Sequence, residues 1–176
     1  MTPLIHWRQL AATLTLTIIV TAPAHALNVD DPAPAFHTKT LAGDSINLAD
    51  SLGKRPIYLK FWATWCKYCV YELPHAQQVY RQYGDSITIL MVNVGINDSV
   101  ENIQSTYAKA GVSLPTAIDT TGDIVASYGV VGTPNHIVID ADGKLLYRSF
   151  LATDELDTQL AALAAKAKAV KLETQP

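Results

Sequence analysis

Ile57-Tyr58-Leu59-Lys60-Phe61-Trp62-Ala63-Thr64-Trp65-Cys66-Lys67-Tyr68-Cys69 places both cysteines of the chain directly behind an apolar run. Residues Ile57–Trp62, bounded by the turn Gly53-Lys54-Arg55-Pro56, predict a buried strand. A helix is expected to start near Cys66, so the Cys-x-x-Cys loop falls where strand gives way to helix. Such a loop is a redox device: one thiolate attacks a disulfide and the second resolves the mixed adduct. The alternative is a structural staple. So short a ring removes little entropy from the unfolded chain, which argues for exchange over stapling.

Working outward, the 176 residues are enough for one domain with a sizeable core. An apolar fraction of 49% and a charged fraction of 16% belong to a soluble globular protein. The net charge of -3 and the lack of a Lys/Arg cluster argue against nucleic acid, leaving small substrates or other proteins as partners. Residues 1–26 read as a signal peptide. Arg8 precedes an apolar stretch from Leu10 to Thr21, and Ala24-His25-Ala26 is a small-x-small cleavage pattern. The stretch is short of the ~20 residues a membrane span requires. Export through the inner membrane places the dithiol outside the cytoplasm, away from the glutathione pool. An uncleaved segment would leave the protein anchored instead.

Residues 27–176 read as a single domain. Residues 27–35 are Pro-rich and extended, and Phe36–Thr40 and Ser45–Leu48 flank a hairpin turn at Ala42-Gly43-Asp44. The helix from Cys66 is expected to run to Tyr83 and stop at Gly84, kinked by Pro74, which lacks the amide that would bond to Val70. Ile87–Val94 is a strand buried on both faces. Asn97, Asp98 and Ser99 offer N-caps for a helix through Ala110, closed by Gly111. Leu114–Asp119 is a short strand and Asp123–Tyr128 a short helix before the loop Gly129–Pro134. His136–Asp140 and Leu145–Phe150 are strands joined by Ala141-Asp142-Gly143-Lys144, and a last helix runs from Thr153 through Lys168. The order predicts an α/β fold with a mixed sheet flanked by helices.

These residues carry a family pattern. Pro32-x-Pro34-x-Phe36, Gly53-Lys54, Phe61-Trp62-Ala63-Thr64-Trp65-Cys66-x-x-Cys69, Glu72-x-Pro74 and Gly132-Thr133-Pro134 resemble the secreted thioredoxin-like proteins of the TlpA/ResA type. The similarity runs from about 32 to 165. It implies a thioredoxin fold, with Ser99–Leu114 as an extra helix and strand, and thiol–disulfide exchange in the periplasm. There are two departures. Tyr68 stands where many relatives have proline, and Lys60 occupies the strand position where thioredoxin carries a buried acid.

Cys66, at the helix start, is expected to be the exposed nucleophile, favoured as thiolate by the free backbone amides and by nearby Lys67. Cys69, one turn on, is expected to resolve the mixed disulfide. The resemblance places a functional acid at Glu72. A partly buried carboxylate of raised pKa there would move the Cys69 proton, whereas a solvated acid near Lys60 or Arg81 would not. Thr133-Pro134 is a candidate cis peptide that presents backbone to an extended partner, and the resemblance puts that loop opposite the cysteines. Trp62 reads as core and Trp65 as part of an apolar docking surface, with Tyr68 a weaker candidate. His37, His75 and His136 read as surface or hydrogen-bonded residues rather than ligands.

The first functional expectation is a periplasmic thiol–disulfide oxidoreductase needing no cofactor. The resemblance implies a reductant for cytochrome c maturation or copper-site assembly, fed by a membrane-embedded electron donor of the DsbD type. A second is a Cu(I) metallochaperone holding the ion on Cys66 and Cys69, with His136 or His75 as third donor. The third is a thiol peroxidase, which wants Pro-x-x-x-Thr-x-x-Cys. Here Thr64 stands two residues from Cys66 and that proline is missing.

Overall fold

All six residues of the strand Ile57–Trp62 are buried, because it has neighbours on both edges and helices on both faces. The computed structural model describes residues 27–173. The expected signal peptide lies outside them. Numbered in chain order, the strands are β1 His37–Lys39, β2 Ser45–Asn47, β3 Ile57–Trp62, β4 Thr88–Asn93, β5 Thr116–Ile118, β6 Asn135–Ile139 and β7 Leu145–Ser149. The helices are α1 Lys67–Tyr71, α2 Leu73–Tyr83, α3 Val100–Ala110, α4 Asp123–Ser127 and α5 Asp154–Glu173. Five strands form one mixed sheet in the order β5-β4-β3-β6-β7, while β1 and β2 make a separate antiparallel pair. The small pair is tied on through a bridge between Thr40 and Ala117.

Side chains alternate across the sheet with the period of two that a strand imposes. Leu59, Phe61, Ile137 and Ile139 enter one core cluster with Leu48, Ile124 and Tyr128. Tyr58, Ile89 and Val138 enter the other, beneath Leu156, Leu160 and Leu163 of α5. Trp62 is fully buried and stacks on Tyr107 of α3 with ring centroids 5.2 Å apart. β4 pairs parallel with β3, and β6 antiparallel. The C-terminal end of β3 and the N-terminal end of β6 therefore lie side by side, with Phe61 opposite Asn135. That shared end carries the Cys-x-x-Cys loop from one strand and Thr133-Pro134 from the other.

Strand ends shift from expectation by a residue or two, and two helices differ by more. The helix expected over Cys66–Tyr83 is two helices broken at Glu72, which ends α1 and begins α2. Pro74 sits in the first turn of α2, where its missing N–H costs nothing, so the expected kink becomes a clean break. Of the three N-cap candidates, Ser99 caps α3 as expected, its hydroxyl accepting from the Asn102 amide at 3.2 Å. α5 continues past Lys168 to Glu173, as an Ala- and Lys-rich run with no breaker should.

Candidate active site

Leaving β3, the chain turns through Ala63–Trp65, and Cys66 caps α1 with extended backbone. Cys66 and Cys69 form a disulfide, with Cα atoms 5.2 Å apart. The Sγ of Cys66 also accepts the Cys69 amide at 3.2 Å. Cys66 is 7% exposed and Cys69 is fully buried. The expected exposed position of Cys66 is thus corrected: the residue is buried, and its sulfur accepts a hydrogen bond from the helix start. It remains the more accessible of the two.

The loop before Cys66 is clamped to the β4–α3 connection by one carboxylate. Asp98 accepts from the Thr64 amide and the Thr64 hydroxyl, both at 2.8 Å. It also accepts from Asn93 Nδ2 at 2.7 Å and the Ser99 amide at 3.1 Å. The indole N–H of Trp65 donates to the Ile96 carbonyl at 2.7 Å. Trp65, Tyr68, Ile96 and Val131 are exposed apolar side chains, carried by the loop before α1, by α1 itself and by the segments that follow β4 and precede β6. Trp62 is core, as expected.

The Thr133–Pro134 peptide is cis. Pro134 is buried and Thr133 half-buried. The Thr133 hydroxyl and the Asn135 side-chain oxygen are shielded from solvent without a hydrogen-bond partner among the described residues.

Beneath α1 lies a buried polar cluster that only partly matches expectation. Glu72 is near Lys60, but it is buried rather than solvated, and Arg81 takes no part. The ammonium of Lys60 donates to Glu72 Oε2 at 2.8 Å. His136 Nε2 bonds the same oxygen at 3.1 Å, and the Ala152 amide donates to Oε1 at 2.8 Å. Behind His136, its Nδ1 is 2.7 Å from the Tyr58 hydroxyl. Burial alone would push the Glu72 carboxyl up. Hydrogen bonds from His136, Lys60 and Ala152, with the Lys60 charge, outweigh it and hold the group at about 2. The raised pKa expected for Glu72 is therefore corrected to a lowered one. Burial pushes His136 down, so its ring is neutral at pH 7. An ionised carboxylate accepts only, which makes Nε2 the protonated nitrogen and leaves Nδ1 to accept from Tyr58.

Of the other histidines, His75 pairs with Asp157 at 2.8 Å and His37 bonds Ser45. With both ring nitrogens engaged, His136 has none left for a metal. Cys66 and Cys69, once reduced, are the thiolates that could hold one. No group of three or more His, Cys, Asp or Glu side chains suited to a metal occurs among the described residues. The sequence pattern did not single out Asp98 or Tyr58 as site residues, while His136, expected to be a surface or hydrogen-bonded residue, is hydrogen-bonded through both ring nitrogens. The signal for the cluster was available, because two ionisable residues inside apolar strands call for a buried partner. For Asp98 nothing local separates it from its neighbours Asn97 and Ser99.

A thioredoxin fold carrying a Cys-x-x-Cys disulfide at the helix start defines the class: a thiol–disulfide oxidoreductase. The chain belongs to the AhpC/TSA family, whose model matches residues 29–148. It is 34% identical over 122 residues to the thiol-disulfide oxidoreductase ResA of Bacillus thuringiensis subsp. konkukian, covering 68% of each chain. Against ResA of Bacillus subtilis the identity is 31% over 134 residues, covering 75% of this chain and 73% of that one. Among solved structures, a putative thiol:disulfide interchange protein DsbE from Chlorobium tepidum superposes with a TM-score of 0.68 at 27% identity, covering 78% of this chain and 99% of the other. A secreted Mycobacterium tuberculosis disulfide oxidoreductase homologous to DsbE gives a TM-score of 0.63 at 30% identity, covering 73% and 96%. No helix among the described residues is long and apolar enough to cross a membrane.

Proposed function

We propose that this protein is a periplasmic reductant of protein disulfides, exported by residues 1–26, with residues 27–176 as its one domain. Cys66 as thiolate attacks a client disulfide, forming a mixed disulfide and expelling one client thiolate. Cys69 as thiolate then attacks Cys66 Sγ, closing the Cys66–Cys69 bond and releasing the second client thiol. Two electrons pass to the client. A membrane-embedded donor of the DsbD type restores the dithiol, and clients lie in cytochrome c maturation or copper-site assembly. Thr133 and Pro134 present backbone to the client strand, and Trp65 supplies apolar contact. Glu72 serves as a fixed anion beside Cys69 rather than as an acid that shuttles its proton.

The observation that carries this reading is the Cys66–Cys69 disulfide, with its more accessible sulfur on the residue that caps α1. The peroxidase reading is disfavoured because the Thr64 hydroxyl is committed to Asp98. Trapping tests the proposal. A Cys69→Ala variant expressed in the source cell should accumulate mixed disulfides through Cys66, and these should be lost in Cys66→Ala/Cys69→Ala. An exported, folded variant that captures nothing defeats the exchange role. A potential near thioredoxin's, about −270 mV, supports reduction, and one near −120 mV reverses the direction.

A further inference from the structure

Lys60 and His136 take no part in the bond exchange, and both bond Glu72. Both are fully buried, a position that ionisable groups hold only with matched partners. Their nitrogens converge on Glu72 Oε2. Glu72 stands three residues after Cys69, on the same face of the helical turn. Tyr58 completes the group from behind, its ring stacked on His136 at 6.0 Å between centroids. The cluster contains one cation, one anion and a neutral imidazole, enclosed at the base of the disulfide helix.

We propose that Lys60 and His136 are positioning residues for the resolving step: with Glu72 they fix the electrostatic field that Cys69 meets as its thiol becomes a thiolate. The inference rests on the reading of Cys66 as nucleophile and Cys69 as resolving group. A lone carboxylate at Glu72 would oppose a second anion at Cys69. Lys60 cancels that charge, and His136 spreads it by donating to the same oxygen. Loss of Lys60 leaves an uncompensated anion. Loss of the Glu72 charge leaves an uncompensated cation. The two changes push Cys69 in opposite directions, which a purely structural role would not do. Of the other polar groups nearby, Lys67 on α1 and His75 on α2 with its Asp157 partner on α5 are not substituted in these variants, and Tyr58 on β3 loses its acceptor only when His136 is replaced.

The test uses fully reduced protein mixed with a chromogenic aromatic disulfide and followed by stopped flow across pH. Attack by Cys66 releases one coloured thiolate and leaves a mixed disulfide. Attack by Cys69 on Cys66 Sγ releases the second. Lys60→Met should raise the pH midpoint of the second phase by about one unit or more and slow it about tenfold at neutral pH. Glu72→Gln should lower that midpoint. His136→Phe should raise it by less than Lys60→Met, since no formal charge is lost. If Lys60→Met fails to fold, the opposed shifts of Glu72→Gln and His136→Phe decide the matter. Midpoints that move together, or stay within a few tenths of a unit, overturn the inference. A missing first phase would contradict the assignment of Cys66 instead.

Discussion

Lys60 and His136 face each other as register partners on β3 and β6, and their side-chain nitrogens meet on one oxygen of Glu72. The contact joins the two strands whose ends carry the cysteine loop and the cis peptide. It also pins the break between α1 and α2, because Glu72 is the residue at that break. Its second oxygen holds the Ala152 amide, so the segment entering α5 is fixed by the same side chain.

Removing one member of a buried pair strands the other. Lys60→Met should destabilise the protein by about 3–5 kcal/mol, read as a lower urea midpoint at unchanged slope. Adding Glu72→Leu should recover only part of this, since His136 and the Ala152 amide then lose their acceptor. Strictly additive single and double variants would show that Lys60 and Glu72 are not coupled.

Acid should unfold the protein in a way traceable to the same residues. Glu72 falls from an ordinary value of 4.5 to about 2 on folding. The unfolded chain thus binds its proton first, and the stability Glu72 contributes is present above pH 4.5 and lost as pH falls toward 2. The contribution is of order 3 kcal/mol. His136 acts in the same direction: burial keeps it neutral, while the unfolded ring takes up a proton as pH falls through 6.5. Stability measured by urea titration should decline from about pH 6.5 downward, and Glu72→Gln should flatten the lower part of the curve. An unchanged slope in that variant would remove Glu72 as the cause.

Much of this was legible in the sequence because it depends on local pattern. The apolar run Ile57–Trp62, the two cysteines, Gly111 after α3 and the Thr133-Pro134 pair each sit at the position their chemistry demands. The cluster under the helix was legible only as a question. Lys60 and His136 are 76 residues apart and meet through strand pairing, so no local pattern could name the acid between them. The exposure of Cys66 was misread for a similar reason. Helix position predicts where Cys66 sits along the chain, but its burial depends on the segments that pack around it in the fold.

Asp98 should prove as important to the site as any residue in the Cys-x-x-Cys loop. Each of its oxygens accepts two bonds: Oδ1 from the Thr64 hydroxyl and the Ser99 amide, Oδ2 from the Thr64 amide and Asn93 Nδ2. Asp98→Ala should cost about 2–4 kcal/mol. Asp98→Asn should be little better, because either orientation of its amide sets an N–H₂ group against an N–H donor. Calorimetry checks the cost, and the emission of Trp65, next to Thr64, should change in both variants. A stability for Asp98→Asn equal to that of the native chain would contradict this account of the clamp.

Gly95 supports the same loop by having no side chain. Its φ is +71°, and a Cβ there would stand 2.2 Å from the carbonyl oxygen of Asp119. Backbone on both sides of this contact is tied down, with the Asp119 amide bonded to the Asn93 carbonyl at 2.8 Å and the Gly95 amide to Asn93 Oδ1 at 2.9 Å. Relief requires moving Ile96, whose carbonyl holds the Trp65 indole. Gly95→Ala should therefore cost more than about 3 kcal/mol and disturb Trp65 fluorescence. Gly43→Ala is the control. At φ +93° it carries comparable backbone strain, but nothing lies within 4 Å of its added carbon, and it should cost only about 1–2 kcal/mol. Equal losses in the two variants would assign the effect at Gly95 to backbone conformation alone and remove the steric argument.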